Sequence, residues 1–519
     1  MALVAGRRLS WIRLSVVLLA LVGIVFTSLR GWQWFQDSRV KVGEPSWFAG
    51  YVDVTATPFY EFEDPEPGAN SAVLAFVVAD PDQECAPAWG GAYTLDEAGG
   101  QLDLDRRVAR LRQLGGAPMI SFGGQANTEL AVACDDVDQL AGAYRDVVQR
   151  YQIGVIDLDV EGEALSDTAA NERRAQAVAQ LQAEEGTDVW VTLPVAPHGL
   201  TDEGVDLVSG MLEAGVRLRG VNVMTMNYSD SKEPGDSMAE ASIKALESTH
   251  AQLDELYREV GNRRTAAQLW RLIGATPMLG QNDVLGEVFS LDDAAELKSF
   301  AAAQKLGRLS MWSLNRDRAC SGNWPDITKV STSCSGLNQA SGAFAHLLGA
   351  KLESGPVVTA EPSTTEEPTA VAEDDPATSP YQVWNAEQAY QAGERVVWRR
   401  NVYVAKWWTS GDVPDDPTVA DDSAPWRLIG PVLPGEKPEP LPTVAPGTFA
   451  KWRAGAAYVA GDVVQLGDLA YIAKWWTQGN SPDAPSTQDS PSPWKRLEGA
   501  ELRAAEVART GKGDAATTR

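Results

Sequence analysis

Residues 154–162 read Gly154-Val-Ile-Asp157-Leu-Asp159-Val-Glu161-Gly162. Side chains at i, i+2 and i+4 of a strand share one face. Ile156, Leu158 and Val160 therefore form one apolar face, and Asp157, Asp159 and Glu161 form the other. Three acids on one buried face cost free energy that packing alone does not return. Like charges this close raise the pKa of at least one carboxyl, which is what a general acid working near neutrality needs. The outermost acid, Glu161, is the candidate proton donor, with Asp159 and Asp157 behind it.

The run lies in the middle of a regular alternation. Short apolar segments expected as strands are Phe48–Val54, Ala72–Val78, Pro118–Phe122, Val155–Glu161, Val189–Pro194, Val221–Met226, Leu272–Thr276 and Leu309–Trp312. Between several of them, apolar residues recur at helical spacing among charges, over Leu104–Leu114, Val137–Tyr151, Asn171–Glu185 and Ser237–Val260. Eight strand–helix units over some 300 residues predict an α/β fold, a (β/α)8 TIM barrel spanning residues 45–350. In such a barrel the chemistry belongs at the C-terminal strand ends, where Glu161 falls.

Beyond the barrel the composition changes. Residues 351–380 are rich in Pro, Thr, Glu, Asp and Ala and read as a disordered linker, and residues 432–447 form a shorter one. The segments 381–431 and 448–499 are two copies of one small all-β unit, offset by 68 residues, with a tail at 500–519. Trp384, Tyr390, Tyr403, Trp407, Trp408 and Trp426 recur as Trp452, Tyr458, Tyr471, Trp475, Trp476 and Trp494. Adjacent tryptophans on a strand point to opposite faces, so one of each pair is expected in the core and the other in solvent.

The carboxylate strand resembles that of glycoside hydrolase family 18, the chitinase barrel, whose fourth strand carries Asp-Gly-x-Asp-x-Asp-x-Glu. The last three acids match, and Gly154 and Val155 stand where the family has its first Asp and Gly. Met119-Ile-Ser121-Phe-Gly123-Gly124 resembles the third-strand motif, and Met226-Asn227-Tyr228 the sixth-strand one. Position 229 is Ser where the family often has Asp, with Asp230 next. Pro277-Met278 followed by Gln281-Asn282-Asp283 resembles a seventh-strand loop, and Trp312 takes the place of the aromatic floor.

The resemblance implies substrate-assisted, retaining hydrolysis of an N-acetylated sugar, in which the acetamido oxygen is the nucleophile. It implies that Glu161 protonates the leaving oxygen, that Asp159 orients the acetamido group with Asp157 as partner, and that Tyr228 hydrogen-bonds its carbonyl. Trp312, Met226, Asn227 and Gly123 are the matching substrate-side positions. No metal or cofactor is implied, and the three scattered histidines, His198, His250 and His346, argue against a His-based metal site. The repeats resemble carbohydrate-binding families 5 and 12, whose Ala-Lys-Trp-Trp-Thr occurs at 405–409 and 473–477. That likeness makes Trp407, Trp408, Trp475 and Trp476 candidate chitin contacts. Two other readings share the same residues: a non-catalytic lectin, and an endo-β-N-acetylglucosaminidase acting on cell wall or glycans.

Charge and cysteine content agree with an exported protein acting on a neutral polymer. The net charge of −27, from 71 acidic and 44 basic residues, argues against nucleic acid, whose phosphates require clustered Lys and Arg. Arg7, Arg8 and Arg13 precede the uncharged run Leu14–Leu29. With Trp11, Trp32 and Trp34 at its flanks, residues 1–36 are expected to be an uncleaved membrane anchor, or else a signal segment. The four cysteines are expected as two disulfides, Cys85–Cys134 and Cys320–Cys334, one of three possible pairings. A monomer is expected.

Overall fold

The computed structural model describes residues 46–62, 71–322, 329–354, 374–376, 378–420, 423–437, 443–484, 492–497, 502 and 505. The expected anchor, residues 355–373 and 377 of the first linker and nearly all of the tail lie outside them. Among the described residues no helix is long and apolar enough to cross a membrane. The chain divides into two compact units, residues 1–361 and 362–519.

The first unit is a closed parallel barrel. Its strands are β1 (Trp47–Phe48, continued by Gly50–Asp53), β2 (Ala72–Asp80), β3 (Pro118–Gly123), β4 (Val155–Asp159), β5 (Asp188–Ala196), β6 (Leu218–Met224), β7 (Ile273–Thr276) and β8 (Arg308–Leu309). Each pairs in parallel with the next, and β8 returns to β1 through Trp47↔Arg308 and Phe48↔Leu309. The expected helices are present as α1 (Leu104–Gln113), α2 (Val137–Tyr151), α3 (Thr168–Glu185) and α4 (Met238–Glu259). Local signals set their starts: Asp136 and Asp167 cap α2 and α3 with their carboxylates, and Ser237 with Glu240 forms a capping box on α4.

Two separate apolar layers follow from strand alternation. Ile156, Leu158 and Val160 face outward into the main core between strands and helices. Inside the barrel a smaller cluster of Trp47, Tyr51, Val73, Met119, Val155 and Trp190 fills the lumen. Cys85–Cys134 and Cys320–Cys334 are both bonded, as expected.

The two repeats of the second unit fold alike. Strand pairs Arg395–Trp398 with Asn401–Ala405, and Val463–Leu466 with Leu469–Ala473, keep the 68-residue offset. In each, a tyrosine packs edge-on against a buried tryptophan with centroids 5.0 Å apart, Tyr390 on Trp426 and Tyr458 on Trp494. The indole N–H then donates to a loop carbonyl at 2.9 Å, that of Asp412 in one copy and Asn480 in the other. These cores leave both members of each tryptophan pair outside: Trp407, Trp408, Trp475 and Trp476 are 45, 44, 43 and 62 % exposed. The expectation of one buried and one exposed partner fails because the pairs sit in a bend after the strand, where alternation no longer applies.

Candidate active site

The three acids stand at different depths. Asp157 is fully buried in the lumen and accepts four hydrogen bonds. Tyr51 Oη and Ser121 Oγ donate to Oδ2 at 2.7 and 2.8 Å; Thr192 Oγ1 and Arg308 Nη1 donate to Oδ1 at 2.7 and 2.8 Å. Asn222 extends the belt, its Nδ2 donating to Thr192 Oγ1 at 3.0 Å and Thr276 Oγ1 at 2.8 Å.

Asp159, one pleat nearer the mouth, is 5 % exposed, and its buried Oδ1 has no hydrogen-bond partner. Burial holds this carboxyl well above the usual range; the charges of Glu161 and Asp157 add to the effect and Arg308 opposes it. Beyond Val160, Glu161 is still in extended backbone, φ −143° and ψ 175°, so the alternation continues past β4 although the strand itself ends at Asp159. Its carboxyl is pushed up to about 6, first by burial and then by the charge of Asp283.

Asp159 and Glu161 open into a cleft of about 220 Å³ at the C-terminal end of the strands. Its lining includes Asp159, Glu161, Met226, Asn227, Asp283 and Trp312. Trp312 stacks on Phe76, with centroids 5.4 Å apart and planes 23° apart, so a paired aromatic surface borders the cleft.

Two expected site residues, Tyr228 from the catalytic set and Gly123 from the substrate side, have other places. Tyr228 is buried, and its hydroxyl donates to Ser242 Oγ on α4 at 3.2 Å. The left-handed backbone of Asn227, φ 53°, breaks the alternation beyond β6, so Met226 and Asn227 line the cleft while Tyr228 turns into the core. Gly123 lies outside the cleft lining and is required for close packing instead. It has φ +98°, and a Cβ there would come within 2.1 Å of the Asp159 carbonyl oxygen. A side chain at Gly124 would strike the Phe76 ring at 2.8 Å. The third-strand glycines thus let β3 approach both the acid strand and the aromatic wall.

Sequence reasoning did not assign Tyr51, Phe76, Asp283 or Arg308 to the site. Asp283 alone carried a local signal, as part of the Gln281-Asn282-Asp283 loop. Among the described residues no group of His, Cys, Asp and Glu forms a metal cluster.

Comparison with known proteins finds relatives of both parts of the chain. The model of carbohydrate-binding module family 5/12 matches residues 451–495. The chain is 36 % identical over 308 residues to a probable bifunctional chitinase/lysozyme of Escherichia coli K12, covering 55 % of this chain and 33 % of that protein. It is 35 % identical over 309 residues to Endochitinase 11 of Metarhizium anisopliae, covering 55 % of this chain and 57 % of that protein. The chain therefore spans between a third and somewhat over half of these relatives. The crystal structure of the catalytic domain of a hyperthermophilic chitinase from Pyrococcus furiosus is 30 % identical, with 59 % of this chain and 94 % of that chain covered and a TM-score of 0.49. The barrel is thus similar in sequence to chitinases, and residues 451–495 match carbohydrate-binding module family 5/12.

Proposed function

We propose that this chain is a chitinase that hydrolyses β-1,4-linked N-acetylglucosamine polymers with retention, the substrate's own acetamido oxygen serving as nucleophile. The observation that carries the reading is Glu161: a carboxyl pushed up to about 6, in the wall of an aromatic-bordered cleft, at the end of a strand of acids. Glu161 protonates the leaving oxygen and then takes a proton from water. Asp159 orients the acetamido group and offsets the positive charge that develops on it, with Asp157 behind. Trp312 supports the −1 sugar, with Met226 and Asn227 beside it. Tyr228 has no part in this scheme, since its hydroxyl is engaged with Ser242.

The exposed pairs Trp407-Trp408 and Trp475-Trp476 support chitin binding by both modules. Aromatic faces stack on pyranose rings at little entropic cost, and two linked modules raise avidity for a repeating polymer. The site of action in this reading is extracellular. Arg7, Arg8, Arg13 and the apolar run after them support an N-terminal membrane anchor. The enzyme acts as a monomer and needs no cofactor.

The test is hydrolysis of colloidal chitin and chito-oligosaccharides by the purified chain beside Glu161→Gln. Release of N-acetylated oligomers by the wild type alone, with chitin binding kept in both, supports the reading. Binding without cleavage by either protein points to a lectin. The lysozyme activity in the name of the Escherichia coli relative favours one further substrate, so cleavage confined to peptidoglycan fragments moves the activity to cell wall.

A further inference from the structure

The segment after β6 has a backbone that its residue types do not favour. Asn227 and Ser229 are both left-handed, at φ 53° and φ 51°, and Tyr228 between them has φ −73° and ψ −24°. Residues other than glycine stay in the left-handed region only where the surrounding structure holds them. A right-handed residue followed by a left-handed one turns successive backbone N–H groups toward one point, a nest that receives an anion. Here the chain supplies the anion itself. Tyr228 N–H donates to Glu287 Oε2 at 2.9 Å, and Ser229 N–H donates to Glu287 Oε1 at 2.7 Å. Glu287 is 6 % exposed and outside the cleft lining, so it acts on backbone rather than on a ligand.

Glu287 belongs to a hairpin in which Gly280–Gln281 pairs antiparallel with Val288–Phe289. Within its turn, Asn282 N–H donates to the Glu287 carbonyl at 3.0 Å. The buried Asn282 side chain donates to the Met278 and Gly280 carbonyls at 2.9 and 3.1 Å, and its Oδ1 accepts from Asn227 N–H at 3.2 Å. Three consecutive backbone donors, at 227, 228 and 229, are thus taken by two side chains of one hairpin. The turn they stabilise directs the Asn227 side chain back to the hairpin, where its Nδ2 donates to Asp283 Oδ2 at 2.8 Å. We propose that Glu287 is a positioning residue for the cleft: by filling the nest at Tyr228 and Ser229 it holds Asn227 in its left-handed turn, and Asn227 in turn fixes the Asp283 carboxylate in the wall shared with Glu161. The role assigned to that wall rests on the catalytic reading above.

The charged and titratable groups around this wall are few. Glu161 feels Asp283, and Asp159 feels Glu161. Arg316, buried behind the hairpin, donates from Nη2 to the Gln281 carbonyl at 2.6 Å and feels the charge of Asp283. Tyr228 feels Glu287, but its phenol is turned away to Ser242. Loss of the Glu287 carboxylate leaves Arg316 in place and frees the Asn227 side of the clasp. Asp283 is then held by its own hairpin alone, its charge is better screened by solvent, and Glu161 loses its proton at lower pH.

Glu287→Gln keeps the size of the side chain but sets an NH2 group against one of the two backbone donors. In the first experiment, amide hydrogen exchange is expected to be slow at Tyr228 and Ser229 in the wild-type chain and about 10-fold or more faster in the variant. Free exchange at both positions in the wild type overturns the proposal, and this result needs neither turnover nor a folded variant. The second experiment follows the alkaline limb of kcat/KM on chito-oligosaccharides. Glu287→Gln is expected to move it to lower pH by under about one unit, in the direction of Asp283→Asn, and the double variant no further than Asp283→Asn alone. An unmoved limb in a folded Glu287→Gln protein, or a shift that adds fully to that of Asp283→Asn, shows that Glu287 only packs. Absence of hydrolysis by the wild type would instead remove the catalytic reading. The same shift is then read in a 13C titration of the Glu161 carboxyl in glutamate-labelled protein, assigned with Glu161→Gln. If Glu287→Gln does not fold, the wild-type exchange decides alone.

Discussion

Asp283 is fastened to Asn227 at two points: its Oδ2 accepts from Asn227 Nδ2 at 2.8 Å, and its backbone N–H donates to Asn227 Oδ1 at 2.8 Å. This clasp joins the loop after β7 to the segment after β6 and sets a carboxylate in the cleft wall that also contains Glu161. The negative charge of Asp283 is the second cause, after burial, of the raised Glu161 pKa.

Asp283→Asn therefore shifts the alkaline limb of kcat/KM to lower pH. A neighbouring anion disfavours ionised Glu161, so its removal lets Glu161 lose its proton sooner. Because burial is the larger cause, the shift is expected to be under about one unit, with activity at pH 7 lower by about two- to five-fold. An unmoved limb in a folded variant would show that Asp283 does not act on Glu161.

Glu161→Gln is expected to lower kcat by about 10²- to 10⁴-fold, the usual contribution of a positioned general acid. The same change should stabilise the fold above pH 6. A carboxyl raised from its ordinary value to about 6 favours the folded state at low pH and penalises it as pH rises through 6. Removing it gains about 1–2 kcal/mol at pH 8 and nothing at pH 4. Paired thermal melts at the two pH values check the sign.

Gly123→Ala should damage both stability and activity. The new Cβ would meet the Asp159 carbonyl oxygen at 2.1 Å from a backbone with φ +98°. Strain of this kind costs about 1–3 kcal/mol. Relief requires β4 to move away, taking Asp159 and Glu161 with it, so kcat should fall more than the melting temperature alone explains. A variant with normal kcat would show that the close approach of β3 is not needed for chemistry.

Within the modules, tryptophans of the two kinds should behave oppositely. Trp408→Ala with Trp476→Ala removes exposed rings and is expected to leave the melts unchanged while weakening chitin binding by about 10²-fold or more through lost avidity. Trp494→Ala removes a buried ring and its hydrogen bond to the Asn480 carbonyl, at a cost of about 3–5 kcal/mol. Calorimetry and pull-down on insoluble chitin separate the two effects.

Much of the fold was legible because its signals are local. Strand alternation placed Ile156 and Leu158 outward and Asp157 and Asp159 inward, and both placements hold in the structure. Four helices were read to within a few residues, since periodicity and capping residues lie inside each segment. Local reading failed where the backbone leaves regular geometry. Tyr228 follows a left-handed Asn227 and turns into the core, and the Trp407-Trp408 and Trp475-Trp476 pairs follow strands rather than extending them.

By itself the sequence determined the acid ladder, the eightfold strand–helix order and the duplicated module, because period-two alternation and a 68-residue repeat need no knowledge of distant contacts. Only the tertiary structure decided what surrounds the ladder. Arg308 meets Asp157 across 151 residues of chain, and Tyr51 meets it across 106. Such partners become neighbours when β8 closes on β1, and the environment that sets each carboxyl's proton affinity is assembled by that closure.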